Sequence, residues 1–550
     1  MNRIHVFAFA AIGIVCLIGF GIDVMDIDAA QYASMSREML STGNYLHLYD
    51  ADVEYLDKPP FLFWISSLSM KIFGVNNFGY RLPSFLFSIL AVISTFRFSK
   101  LYYDRQTSLY AALILASSQG FFLMNHDVRT DTILMGCLAF SIWQIAIWIK
   151  ENKFINLIFG SIGIAAGMMT KGPVALIIPI LAFGSHILLT RNFSAIWKWQ
   201  YIPALLVISI LLIPMSYGLY TQFDLHPEKV VNGSTNVSGL RFFYWTQSFG
   251  RITGESAWNN NANIFFLLQN MLWSFLPWII LFLLGLAYQI KNLFQNKFSL
   301  PYTKEGITLG GFVLTYLALG MSKYQLPHYI FSAFPFAAVI TARFVSELET
   351  TKDSKKINSI LLPGHFIIFS LLWIALVGLL SFCFESIQFI YPISASLLFV
   401  FFIYTYFKNR FHNNIILLGL YTVIGLNLFL NAAFYPALLH YQAGSDAGRY
   451  IHDNNIPTQK TFTFDYIMWR SLHFYAHDLI KSKSNIDEIK PGDYILTDKK
   501  KLKVLNDAKI KYDVLHTGFD YPVTKISLSF LNPEARKNTL NEYVLIQRKP

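Results

Sequence analysis

Apolar runs long enough to cross a bilayer recur along this chain, separated by short polar stretches. A crossing takes about 20 predominantly apolar residues. Runs of that kind predict about thirteen spans, near 4–22, 79–98, 107–124, 132–149, 154–169, 172–189, 201–220, 264–287, 306–320, 327–345, 360–382, 387–407 and 414–435. Two amphipathic stretches between the first two spans, 29–40 and 61–73, are too short or too polar to cross and are expected on the interface. Beyond about residue 440 the pattern changes. "GSDAGRYIHDNN" reads as a helix, while "KPGDYILTDKKKLKVL" and "NEYVLIQRK" alternate like strands. The expected fold is an all-α polytopic membrane domain over 1–438, with an outer loop at 23–78, followed by a small soluble α/β domain over 439–550. The chain has no internal repeat and no low-complexity tract.

Composition agrees with this pattern. Of 550 residues, 54% are hydrophobic and only 14% charged, against roughly 25% charged in a soluble protein. A disordered chain, a coiled coil and a single water-soluble core are excluded. The net charge of +11 does not call for nucleic acid, because the basic residues sit in alternate connections. These are Arg97, Lys100 and Arg105; Lys150 and Lys153; Arg191 and Lys198; Lys291, Lys297 and Lys304; Arg343, Lys352, Lys355 and Lys356; Lys408 and Arg410. The positive-inside bias assigns such loops to the cytoplasm, which puts the N-terminus inside and the C-terminal domain outside. The first apolar run lacks a small-residue cleavage site and is read as a retained anchor. Cys16, Cys137 and Cys383 lie far apart in apolar surroundings and signal neither a disulfide framework nor a metal site.

Ionisable residues beside membrane spans are costly and therefore candidates for function. Six groups fall in the non-basic connections: Asp23, Asp26 and Asp28; Glu54, Asp57 and Lys58 before Pro59-Pro60; His126, Asp127, Arg129 and Asp131; Lys171; Arg251 and Glu255; and Lys323, Tyr324, His328 and Tyr329. Each has a plain alternative. Asp26 or Asp28 is a helix cap, Lys58 and Lys171 are snorkelling side chains, Arg129 and Asp131 are a local ion pair, Tyr329 is an aromatic-belt residue, and the two histidines are interfacial polar groups. Their convergence on one face favours a site. Lys and Arg from separate loops suit a phosphate, and carboxylates beside them suit general-base work or stabilisation of a sugar cation. The chain has no P-loop, dinucleotide fingerprint, HExxH or CxxC pattern. No cofactor is indicated, a divalent cation is not signalled, and the energy for any transfer must reside in the donor.

The motifs "DIDAAQYASMSREMLSTGNY", "YLDKPPFLFWISSLSMKIFGVNNFGYRLPS", "VRTD", "TKGP" and "KYQLPHY", in that order over roughly 20–345, resemble the GT-C membrane glycosyltransferases. The resemblance is to the branch of lipid A aminoarabinose transferases and, further off, protein O-mannosyltransferases. It implies Asp28 and Asp131 as catalytic carboxylates, and Lys58, Arg251 and Tyr329 as ligands of the donor phosphate. Asp26, Asp57, Arg129, Lys171, Lys323 and His328 are secondary candidates. The chain departs from the family at Ala29, where Glu often follows the acidic residue, and at Asp57, where aminoarabinose transferases carry Glu. The resemblance implies a bacterial inner-membrane enzyme with a periplasmic site. It would pass a sugar from a polyprenyl-phosphate donor to lipid A or another glycolipid. A protein acceptor is the alternative, and a lipid-linked-sugar flippase, which should carry polar residues on both leaflets, is the rival from another class.

Overall fold

The computed structural model describes residues 3–255, 258–301, 304–350, 354–408, 414–465 and 469–550. Lys352 and Arg410, two of the basic loop residues, lie outside them. Among the described residues, each of the thirteen expected segments is occupied by helix. Among the described residues eight helices are long and apolar enough to cross a membrane, from Asn77–Tyr102 to Ile415–Leu439, or nine if the pair Arg105–Ala116 and Gln119–His126, bent by 50°, is one span. Arg3–Gly19, Val174–Thr190, Ile279–Gln295 and Ile307–Gly320 are shorter apolar helices.

Two spans expected as continuous are broken. At 107–124, Ser117 and Ser118 turn their hydroxyls onto the carbonyls of Leu113 and Leu115. Serine hydroxyls bonded back to carbonyls three and four residues earlier favour a bend. At 264–287, Phe266–Ser274 stops before Pro277 and a second helix starts at Ile279. Proline has no N–H to continue the ladder.

The outer loop contains two amphipathic helices, Asp28–Thr42 and Phe61–Phe73, joined across a short hairpin of Tyr49–Asp50 and Val53–Glu54. Within "SREML", Glu38 serves this hairpin, while Arg37 donates to the His477 carbonyl at 3.4 Å. Glu38 accepts the backbone N–H groups of Ala51 and Asp52 at 3.0 and 3.1 Å, where both residues have positive φ. Arg81, fully buried in the Asn77–Tyr102 helix, anchors the start of the loop. Its guanidinium donates to the carbonyls of His126, Phe20, Ile22 and Asp23.

The C-terminal region forms a five-stranded sheet in the order Lys481–Lys483, Thr461–Phe464, Tyr494–Asp498, Asn541–Arg548, Tyr512–Asp520. The first three strands are parallel and the last two join antiparallel. Ala443–Asp453 is the expected helix. The strand expected through "KPGDYILTDKKKLKVL" ends at Asp498; the side chain of Asp498 accepts the N–H of Lys500 and turns the chain into the Leu502–Asp507 helix. This domain sits on the loop at 23–78. Arg449 pairs with Asp23, Arg470 with Asp50, and Ser471 with Asp26.

Candidate active site

Asp28 is the first residue of the Asp28–Thr42 helix, and Ile27 before it makes no side-chain cap. The carboxylate is not spent on capping; it pairs with Arg129. Arg129 also grips Asp127, with Nε and Nη2 each 3.0 Å from Oδ2. Arg129 stands just before the Thr130–Glu151 helix, so a turn between two spans holds the outer-loop carboxylate. Paired with two carboxylates, the guanidinium is held above its usual pKa despite burial, which opposes this.

Asp131, the second residue of that helix, is buried, with its side chain 1% exposed. It pairs with Lys171, and His328 Nε2 lies 3.6 Å from its other oxygen. Lys171 ends the Phe154–Lys171 helix, where Gly172 at φ +94° reverses the chain. Its ammonium also lies 3.8 Å from the centre of the Tyr329 ring.

Lys58 and Arg251 are held differently. Pro59 and Pro60 fix the backbone between Lys58 and the Phe61–Phe73 helix, and no carboxylate takes the Lys58 ammonium among the described residues. Burial, and then the nearby Arg251, push the Lys58 pKa down. Among the described residues Arg251 has only neutral partners: Nη1 donates to the Tyr329 hydroxyl at 2.8 Å, and the guanidinium lies 5.2 Å from the Tyr324 ring. Its Nε is buried with no hydrogen-bond partner among the described residues. Lys58, Lys171, Arg251 and Tyr329, with Gln247 and Ser248, line one cavity of about 170 Å³ whose remaining wall includes Val174, Ile177, Phe249 and Leu319.

The structure therefore brings together Lys58, Lys171, Arg251, Tyr329, Asp131 and His328, with Asp28 and Arg129 alongside through their mutual ion pair. The secondary candidates separate. Asp57 faces outward, accepting from Asn232 at 3.3 Å, and its carbonyl accepts from Gln247. Lys323 is exposed and braces Arg251 through the backbone, its N–H 3.1 Å from the Arg251 carbonyl. Asp26 turns away to the C-terminal domain, where its carboxylate accepts from Ser471. Sequence reasoning missed Gln247, a neutral residue in an aromatic-rich loop that carries no signal of its own. It also missed Arg81, whose signal was a lone charge in an apolar helix. Among the described residues no group of three or more His, Cys, Asp or Glu side chains is arranged to hold a metal.

Residues 57–217 match the family described as dolichyl-phosphate-mannose-protein mannosyltransferase. Similar curated proteins include the undecaprenyl phosphate-alpha-4-amino-4-deoxy-L-arabinose arabinosyl transferases of Wigglesworthia glossinidia brevipalpis and an Enterobacter species. The first is 27% identical over 62% of this chain and 58% of its own length, the second 24% over 60% and 57%. The chain thus spans a little over half the length of these relatives. The fold match is wider. ArnT from Cupriavidus metallidurans, solved with undecaprenyl phosphate bound, superposes with a TM-score of 0.73 at 15% identity, over 98% of this chain and 97% of that one. An Archaeoglobus fulgidus oligosaccharyltransferase follows at a TM-score of 0.50 and 12% identity, over 90% and 70%. The chain is therefore similar to the arabinosyl transferases in sequence over part of its length, and it shares the fold of ArnT over nearly all of it.

Proposed function

We propose that this chain transfers a sugar from an undecaprenyl-phosphate-type donor to an envelope glycolipid such as lipid A. The site would lie on the periplasmic side of a bacterial inner membrane, within a membrane domain over 1–438 that carries a periplasmic domain over 439–550. One observation carries the reading: among the described residues Lys58 and Arg251 lack carboxylate partners, and they line one largely apolar cavity with Tyr329. Two uncompensated cations in such surroundings are costly unless an anion joins them, and a phosphate on an apolar tail fits both halves of the cavity. Its oxygens would take charge-assisted bonds from Lys58 and Arg251 and a neutral one from the Tyr329 hydroxyl.

The carboxylates divide the remaining work. The sugar carbon bonded to phosphate oxygen gains positive charge as that bond breaks, and the phosphate cradle takes the negative charge left behind. Asp28 would accept the proton of an attacking hydroxyl or orient an acceptor already anionic, after exchanging its hold on Arg129. Asp131, fixed by Lys171 and His328, keeps Lys171 against the Tyr329 ring and sets the other wall of the cleft. A protein acceptor is the second reading, favoured by the description of the family matched at 57–217. Mass spectrometry of lipid A and of envelope proteins, from cells with and without the gene, tests both. A gene-dependent sugar on lipid A supports the first reading, one on protein alone supports the second, and none on either overturns the proposal.

A further inference from the structure

The C-terminal domain touches the outer loop immediately before Asp28. The Asp26 carboxylate, two residues ahead, accepts the Ser471 N–H at 2.9 Å and the Ser471 hydroxyl at 2.7 Å. The Asp26 N–H donates to Gln442 Oε1 at 2.8 Å, and Gln442 Nε2 donates to the Val24 carbonyl at 2.9 Å. The Tyr475 hydroxyl accepts the Val24 N–H and donates to Asn77, both at 2.8 Å. A second grip lies beyond Asp28. Arg470 pairs with Asp50 at 2.8 Å, and Asp50 accepts from Gln31, in the first turn of the Asp28 helix, at 2.7 Å. The helices Ala443–Asp453 and Arg470–Tyr475, with the Gln442 that precedes the first, therefore hold the chain on both sides of Asp28, while among the described residues only Arg129 holds its carboxylate.

We infer that the C-terminal domain positions Asp28, and that Ser471, acting through Asp26, is its principal positioning residue. This rests on the proposed transferase reading, in which Asp28 touches the acceptor. With the segment 24–31 fixed at both ends, the Asp28 carboxylate meets the acceptor in one geometry, and small displacements of a reacting group are expensive in rate. The contact also has a charge state. Burial pushes the Asp26 pKa up to about 7, against the lowering effect of the two Ser471 bonds. Asp520 adds to the rise and Arg470 opposes it; Asp23 nearby is taken by Arg449. Ionised Asp26 accepts both Ser471 bonds, and protonated Asp26 gives up part of that acceptance. Transfer should therefore fall as pH drops through about 7.

The test uses the full-length chain in liposomes with a polyprenyl-phosphate-linked sugar as donor, across pH 5.5–8.5. Ser471→Ala is expected to lower kcat about tenfold with donor KM unchanged, to raise hydrogen exchange in residues 24–31, and to move the acid limb to higher pH. Ser471→Thr should restore all three. Asp26→Asn should remove the limb near pH 7, which keeps the inference testable if Ser471→Ala folds poorly. An active wild type with kcat and pH profile unchanged in Asp26→Asn and in any folded Ser471→Ala overturns this inference alone. A wild type that transfers nothing overturns the functional reading and this inference with it.

Discussion

The two walls of the cleft carry their charges in different ways. On the acidic wall each candidate carboxylate already has a cation, Arg129 on Asp28 and Lys171 on Asp131. On the basic wall Lys58 and Arg251 line the cavity and, among the described residues, neither is paired with a carboxylate. The first arrangement is closed within the protein, and the second is completed by a ligand. Equal numbers of Lys, Arg and Asp along a sequence would not separate these cases. The pairing does, and it divides the candidates into groups that hold phosphate and groups that act on the acceptor.

The widest separation of the two walls should come from Asp28→Asn. We expect transfer to fall by about 10²–10⁴-fold for a hydroxyl acceptor, the usual worth of a general base, while undecaprenyl phosphate binding stays near wild type. Asp131→Asn sharpens the comparison from the other side. It frees Lys171 to serve the phosphate, so transfer should fall severely while binding of the lipid phosphate is unchanged or tighter. Equilibrium binding and single-turnover rates on the same preparations check both. Next in size, Lys58→Ala should weaken undecaprenyl phosphate binding by about 10–100-fold, the loss of one charge-assisted bond.

Acidity offers a smaller and distinct signature. Burial and Arg251 lower the pKa of Lys58, so its ammonium is lost at lower pH than an ordinary lysine's. Phosphate affinity should decline as pH rises through that lowered value, and Lys58→Arg, whose charge persists, should flatten the decline. The smallest effect belongs to Tyr329→Phe. Deleting one neutral hydroxyl, bonded at 2.8 Å to Arg251, should cost only about 2–10-fold in donor affinity.

Much of this was legible in the residues. Among the described residues the apolar runs fall on helix at each expected segment, because hydrocarbon thickness sets a length that the sequence must obey, although only eight helices, or nine with the bent pair, are long enough to cross. The charged motifs named several residues that the fold gathers around one cavity, since ionisable groups beside a membrane are not placed without cause. The breaks at Ser117-Ser118 and before Pro277 were harder to see, since apolar count is blind to backbone hydrogen bonding. The partition of the charges was not legible. Asp26 and Asp28 are equivalent in the string, two residues apart. One meets Arg129 and the other Ser471 only because segments 101 and 445 residues away arrive beside them. "KKKLKVL" misled for a local reason, a cap by Asp498 that turns an alternating run into a helix.

The central claim is that Lys58 and Arg251 hold phosphate while Asp28 acts on the acceptor. Equilibrium binding of undecaprenyl phosphate to wild type, Lys58→Ala, Arg251→Ala and Asp28→Asn, in one detergent and at one salt concentration, tests it directly. The account predicts strong losses in the first two variants and near-wild-type binding in the third. Full affinity in Lys58→Ala and Arg251→Ala, or a comparable loss in Asp28→Asn, would contradict it.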